Sequence, residues 1–497
     1  MLTSRAQIIL GPPGTGKTST LLGLLEEELA RGTEPERIGF FTFTKQAAKE
    51  GKTRAMARFE VSQRDLRYFR TLHSLCFLQL GLSKESVLGP RDLRELNEKL
   101  NLRLSGSLSS DDGHISGISR DDRLLFIENL ARVRQVPLQT QWQDVDDVVG
   151  WFELERFARG LKLFKKDRLL IDYTDMLQTF LERGAAPKLD VMFVDEAQDL
   201  SPIQWAVVRK LCENADRIYI AGDDDQAIYR WAGADVEYLI RNSKDAIILK
   251  QSFRIPSSVH EVATRCIKQI GSRVHKTWLP RNHPGLVRWE ASYESINMEE
   301  GDWLVLARTN YLLEGLEEHC RSEGWFFQNK QRPSISEKKV RAVKSWEQLR
   351  SGSPIPVSEL VNVLNYIKVR VPNSVEILDF DTYISFEEAR NHLPALTNSY
   401  WYDIFDGLSV KERSYIRAML RRGEKITKDP RIRLSTIHAA KGGEATNVIL
   451  LTDISTRIYN SYQENPDDES RVFYVGLTRA KENLYLIEPQ TPKYYPI

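Results

Sequence analysis

The chain has 497 residues, enough for about three or four domains of ordinary size. Its 41% hydrophobic and 28% charged residues exclude a disordered, collagen-like or disulfide-scaffold protein. Lys+Arg 70 against Asp+Glu 69 leaves a formal net charge of +1, so any binding to nucleic acid or an anionic membrane must rest on local patches.

The apolar run 6–10 is short and reads as a buried parallel strand. It leads into Gly11-Pro-Pro-Gly-Thr-Gly-Lys17-Thr18, the GxxxxGK[ST] pattern, and a helix is expected over 19–29. Glycines there let backbone N–H groups turn inward around phosphates, and the helix N-terminus adds a favourable dipole. Gly11, Pro12, Gly14, Thr15, Gly16, Lys17, Thr18 and Ser19 are the candidate nucleotide-binding residues. Lys17 suits the β- and γ-phosphates, and the Thr18 hydroxyl suits Mg²⁺. A strand at 38–42 and a helix at 46–59 follow. Residues 77–165 are polar and helix-rich, with a Ser/Asp/Gly loop over 105–119.

The strand at 191–194 delivers Asp195, Glu196, Gln198 and Asp199 at its carboxyl end, where ligands sit in open α/β sheets. Asp195 suits the Mg²⁺ sphere, and Glu196 suits polarisation of an attacking water, so Mg-ATP hydrolysis is expected. The strand at 218–221 runs into Gly222-Asp-Asp-Asp-Gln226-Ala-Ile-Tyr229-Arg-Trp231-Ala-Gly233. Gln226 can sense the γ-phosphate, while Tyr229 and Trp231 offer base-stacking faces unless they belong to the core. Further strands are expected at 246–249, 303–307, 433–437, 447–451 and 484–487. A second non-strand stretch, 352–425, opens with Gly352-Ser-Pro-Ile-Pro356. Strands alternating with helices predict α/β units, grouped before residue 250 and after 300 as two domains.

No run approaches the ~18–20 uncharged apolar residues that span a membrane. Ile8 to Leu10 is too short for a signal-peptide core. Cys76, Cys212, Cys266 and Cys320 are far apart with no CxxC pair, which argues against zinc, iron–sulfur or disulfide frameworks and for a reduced compartment.

The ordered motifs, spanning residues 11 to 481, resemble those of UvrD/Rep/PcrA-type superfamily 1 helicases. Residues 38–48 resemble the TFTNKAA segment, Thr71-Leu-His73 resembles TFHxL, and Ile171-Asp-Tyr-Thr-Asp175 resembles LDFxDL. Asp195–Asp199 with Gln204 matches DExQDxxxxQ, and 222–233 resembles GDDDQSIYxWRGA. Leu249-Lys-Gln-Ser-Phe253-Arg254 resembles LxxNYR, Arg433 to Glu444 resembles TxHxAKGLE, and Tyr474-Val-Gly-Leu-Thr478-Arg479-Ala480 matches YVxxTRA.

The resemblance implies an α/β architecture of two RecA-like P-loop domains with parallel sheets flanked by helices, plus two mainly helical insertions. The first RecA-like domain is expected over 1–76 and 166–252, and its insertion over 77–165. The second is expected over 253–351 and 426–497, with a reduced insertion over 352–425. Lys17, Glu196, Gln226, Arg254 and Arg479 carry catalysis in this reading, the two arginines acting across a cleft as fingers on the γ-phosphate. Phe253 stacks on adenine and Glu444 binds ribose. Thr42, Phe43, His73, Tyr229, Trp231 and His438 contact DNA, although His73 and His438 also suit structural roles.

The implied activity is ATP-dependent movement 3′→5′ on single-stranded DNA, with single-strand/duplex junctions and replication, repair or recombination proteins as partners, no membrane, and a cytoplasmic or nucleoid-associated location. An RNA-directed motor and a nucleotide-gated clamp or recruitment module remain alternatives. Ser19 replaces the arginine that often follows GKT, Gly443 replaces the leucine of AKGLE, and no counterpart of the family's upstream adenine-reading glutamine is expected. The short second insertion implies altered duplex engagement, and neither a fused nuclease nor a long tail is expected after the last motif. Basic runs over 330–350 and 411–433 read either as DNA contacts or as solvated helix faces. The acidic segment 195–235 is expected partly to hold magnesium. Near-neutrality overall implies a grip on DNA by stacking and ATP-gated contacts, with modest salt dependence.

Overall fold

The computed structural model describes residues 2–42, 49, 52–53, 55–57, 61–62, 64–106, 119–144, 149–367, 379–427 and 429–497. Phe43 lies outside these residues, as does most of the helix expected over 46–59.

The first group of strands is β1 (Ala6–Leu10), β2 (Ile38–Thr42), β3 (Tyr68–Thr71), β4 (Leu189–Val194), β5 (Ala215–Gly222) and β6 (Ile247–Ile248). They pair in the order β3-β2-β4-β5-β1-β6, and every pairing is parallel. Parallel strands require crossovers, which helices such as Lys17–Ala30 and Pro202–Glu213 supply. Alternate side chains divide between two cores. Ile8, Leu10, Met192 and Val194 enter one, while Ile9, Phe40, Val191 and Phe193 enter the other.

The later strands are β7 (Leu286–Glu290), β8 (Trp303–Ala307), β9 (Phe327–Asn329), β10 (Arg332–Pro333), β11 (Ile355–Pro356), β12 (Tyr383–Ile384), β13 (Ile432–Thr436), β14 (Ala445–Leu451) and β15 (Ala480–Ile487). A second sheet has the order β10-β9-β13-β8-β14-β15-β7, antiparallel only between β9 and β10. Trp303, Val305 and Ala307 face one core, and Leu304 and Leu306 face the other. The sequence pattern predicts neither β3 nor β7. Both are edge strands of mixed polarity, Tyr-Phe-Arg-Thr and Leu-Val-Arg-Trp-Glu, so they lack the apolar run that marks a central strand.

The two insertions differ in kind. Helices Pro90–Leu100, Arg120–Arg134 and Trp151–Arg168 build a core of their own from Leu96, Leu124, Leu130, Phe157 and Leu161. The second insertion shares the core of the second sheet, where Leu360, Trp401, Phe405 and Tyr415 pack together with Val305 and Leu434. It also contains the short antiparallel pair β11–β12 beside its helices. Among the described residues no helix is long and apolar enough to cross a membrane.

Candidate active site

The glycine loop, Asp195, the 222–226 turn and Thr42 all follow or end strands at the carboxyl edge of the first sheet. Gly14 and Gly16 have φ of 72° and 82°, the left-handed region that glycine enters without steric cost. The 252–254 segment closes on this loop. Phe253 N–H donates to the Gly14 carbonyl at 2.8 Å, and the Ser252 hydroxyl donates to the Pro13 carbonyl at 2.8 Å. A Cβ on Gly14 would lie 2.4 Å from Arg254 Cβ, so the approach requires glycine. Lys17 Nζ donates to the Gly11 carbonyl at 2.8 Å, and Thr15 donates to the Pro12 carbonyl at 2.8 Å. Ser19 is exposed two residues into the helix.

The Thr18 hydroxyl donates to Asp195 Oδ2 at 2.7 Å. A hydroxyl and a carboxylate beside a phosphate loop fit Mg²⁺, which binds through one or two protein oxygens and otherwise keeps water and phosphate oxygens. Burial, then the charge of Glu196, pushes the Asp195 carboxyl up to about 6. Burial also opposes ionisation of Glu196, yet Lys17, Lys441, the Gln198 amide and Arg479 hold it below the usual carboxylate range. Glu196 sits at φ 56°, a left-handed conformation that costs a non-glycine residue about 1–2 kcal/mol.

Residues of the second α/β unit reach across. Arg479 is buried and donates to Gln226 Oε1 at 3.2 Å, to the Val475 carbonyl at 2.9 Å and to the Gly443 carbonyl at 3.2 Å. Burial and then Arg254 lower its pKa to about 9, against Glu196 and Glu444. Gln226 in turn donates to Asp223 Oδ2 at 2.6 Å. Arg254 pairs with Glu444 at 2.5 Å, so the expected phosphate and ribose ligands meet each other in this state. Phe253 is 73% exposed, leaving its ring open.

Lys441 is a cross-cleft tie to which the sequence reading gave no role of its own. Its Nζ donates to Asp199 Oδ1 and Oδ2 at 2.7 and 2.6 Å and to the Gln226 carbonyl at 2.7 Å, and it lies 5.0 Å from the Tyr229 ring centre. Asp199 is pushed up to about 6 by burial, with Lys441 opposing. Beyond Asp195, the acidic run is held by buried cations. Lys276 Nζ lies 3.0 Å from both Asp223 and Asp225 and also contacts Asp224, while Arg273 donates to both Asp225 oxygens at 2.7 and 2.6 Å. Asp195 is thus the carboxylate placed at Thr18, and the aspartate triplet ties the two units together. Three adjacent aspartates were the sequence signal that buried cations must exist elsewhere.

Of the expected DNA contacts, Thr42 is buried at the end of β2. His73 and Tyr229 line one cavity of 370 Å³ between the first sheet and its insertion. Burial lowers the His73 pKa to about 4, so its ring is neutral near pH 7. Tyr229 donates to the His438 carbonyl at 3.3 Å. Trp231 and His438 line a second cavity of 730 Å³. Trp231 also stacks on Phe126 of the insertion, with centroids 6.3 Å apart and planes within 10°, so part of its ring serves internal packing.

Part of each basic run is taken up by ion pairs. Lys339 pairs with Glu412, Lys411 with Glu318 at 3.0 Å, Arg422 with Glu299 and Glu323, Arg431 with Glu424 and Arg433 with Asp302.

Residues 2–247 match the UvrD/REP helicase N-terminal domain, and residues 408–491 match the UvrD-like helicase C-terminal domain. The chain is similar to the ATP-dependent DNA helicase PcrA of Bacillus subtilis, 25% identical over 312 residues, covering 56% of this chain and 40% of that protein. It is 22% identical over 599 residues to a probable DNA helicase II homolog of Mycoplasma capricolum, covering 96% and 81% respectively. With DNA helicase II of Salmonella typhimurium it shares 27% identity over 295 residues, 54% of this chain and 39% of that one. The match thus spans about two fifths of the length of the Bacillus and Salmonella relatives.

Proposed function

We propose that this chain, which belongs to the UvrD/REP helicase family, is an ATP-driven motor that moves 3′→5′ on single-stranded DNA and opens duplex at single-strand/duplex junctions. The observation that carries the proposal is the meeting of Arg479, Gln226 and Lys441 with the Thr18–Asp195 pair in one cleft between two α/β units.

Lys17 leaves the Gly11 carbonyl for phosphate oxygens of bound ATP, and the backbone of Gly14 to Lys17 cradles them. Thr18 and Asp195 would hold Mg²⁺, whose chemistry is neutralisation of charge on the bridging phosphate oxygens. Glu196, kept ionised by Lys17 and Lys441, accepts a proton from the attacking water at its carboxylate. Arg479 and Arg254 neutralise charge developing on the transferring phosphoryl group. Arg254 must first part from Glu444, which frees Glu444 for ribose and lets Phe253 cover the base. Arg479 belongs to the second unit while Gln226 belongs to the first. Nucleotide state therefore changes the contacts between units, and that difference is what moves them. Tyr229 sits on the same ties through His438 and Lys441, so strand contacts and hydrolysis share residues.

Unwinding of duplexes with a 3′ or a 5′ tail tests the direction: the 3′-tailed substrate should open and the 5′-tailed one should not. Opening only from 5′ tails would overturn the polarity. Glu196→Gln should abolish turnover while leaving nucleotide binding within a few-fold, and persistent turnover would remove Glu196 from the role of base.

A further inference from the structure

The second insertion carries an exposed feature that the cleft does not use. Tyr400 and Tyr402 are 51% and 41% exposed and stack on each other, with centroids 5.4 Å apart and planes within 5°. The Arg350 guanidinium lies 4.2 Å from the Tyr400 ring centre, and that of Arg417 lies 5.7 Å from Tyr402. Four planar groups from three segments therefore follow one another at the surface. Arg413 donates to the Tyr402 carbonyl at 3.0 Å.

Arg413, Arg417 and Arg421 recur every fourth residue on the helix Val410–Arg422, placing them about 6 Å apart along one face. Among the described residues Arg417 and Arg421 have no carboxylate at ion-pair distance, unlike Lys411 and Arg422 on the same helix. Among the described residues Glu347 pairs with Arg350 at 2.7 Å, and Asp403 and Asp406 are exposed on the tyrosine segment. Arginine charge is thus in excess there, and aromatic neighbours hold the guanidinium planes in place.

We propose that this ladder of Arg350, Tyr400, Tyr402 and Arg417, with Arg421, is a second contact for single-stranded DNA, outside the cleft. Arg417 and Arg421 take successive phosphates, while the outer guanidinium planes at the ends of the ladder stack on bases without regard to sequence and the tyrosine edges and hydroxyls meet base edges. A duplex offers such a surface only phosphates and leaves the tyrosines without a role, and an acidic peptide would need no planar stack. The inference rests on the motor reading. It adds a grip on the part of the strand that lies beyond the cleft.

The test measures binding of fluorescent oligothymidylate of about 12 and about 40 nucleotides to the full chain, parent and variants, with ATP turnover on each. In the double variant Arg417→Glu/Arg421→Glu, and separately in Tyr402→Ala, affinity for the long strand should fall about tenfold. Affinity for the short strand and the turnover it stimulates should stay within a factor of about two of parent, the scale on which surface substitutions act. The charge variant should also show a shallower salt slope on the long strand. Unchanged long-strand affinity in both variants overturns the proposal. So does an equal loss on both lengths, or a loss confined to blunt duplex of equal length or to an acidic peptide. Failure of the parent itself to bind either strand would sink the motor reading instead, which keeps the two outcomes apart.

Discussion

Replacing Lys441 by methionine is the perturbation whose consequences the geometry defines most closely. It deletes the hydrogen bonds to both Asp199 oxygens and to the Gln226 carbonyl, and it leaves a carboxylate that is only 4% exposed without its counter-charge. Breaking a buried pair from one side costs about 3–5 kcal/mol when the remaining group stays charged. Asp199 need not stay charged. With Lys441 present, burial already lifts its carboxyl to about 6, and without Lys441 it rises further. A folded pKa above the unfolded value of about 3.9 means that the stability contributed by Asp199 is complete below that value. It is lost as pH climbs through the folded value. The Lys441→Met chain should therefore match its parent closely at about pH 5 and fall well below it at about pH 8 in thermal unfolding.

A second readout separates this tie from mere packing. Lys441 is one of the cations that hold Glu196 below the usual carboxylate range, so its removal should move the acid limb of the hydrolysis profile to higher pH. A destabilisation independent of pH, together with an unmoved acid limb, would refute the reasoning.

Other expectations follow from single contacts. Gly14→Ala places a methyl 2.4 Å from Arg254 Cβ at a left-handed φ, so nucleotide binding measured with a fluorescent ATP analogue should weaken by more than about tenfold. Arg479→Ala should lower single-turnover hydrolysis by about 10³-fold or more while nucleotide affinity changes little, and Arg479→Lys should not restore the rate. Trp231→Ala removes the ring stacked on Phe126, and urea unfolding should show a loss of about 2–4 kcal/mol as the insertion loosens from the first sheet. Trp231→Phe should recover most of that stability.

Most central strands were legible because each is an apolar run, several of them ending at a motif; β9, inside the second sheet, was missed because it is only three residues long. The sequence reading places β1, β2 and β8 with their observed bounds, and β4, β5, β13, β14 and β15 within a few residues. The edge strands β3 and β7 escaped, since an edge leaves one side unburied and dilutes the pattern. Glycine-loop geometry follows from local spacing, so Lys17 and Thr18 were readable together, while Asp195 was readable from its own apolar strand. The Lys276–Asp225 and Lys441–Asp199 ties were not, because they join residues 51 and 242 positions apart or nearly so and depend on how two units dock. The basic runs show the reverse limit. Charge counted along the chain took no account of Glu299, Glu318 and Asp302, which neutralise Arg422, Lys411 and Arg433 from distant segments.

The most direct test of the account is the steady-state rate of ATP hydrolysis by the unmodified chain as single-stranded DNA is added. Tyr229, His438 and Lys441 join the two cavities beside the first insertion to Gln226, so, if the strand runs there as proposed, the rate should rise many-fold and saturate with the strand, and should respond little to blunt duplex. A rate that is the same with and without single-stranded DNA would contradict the account.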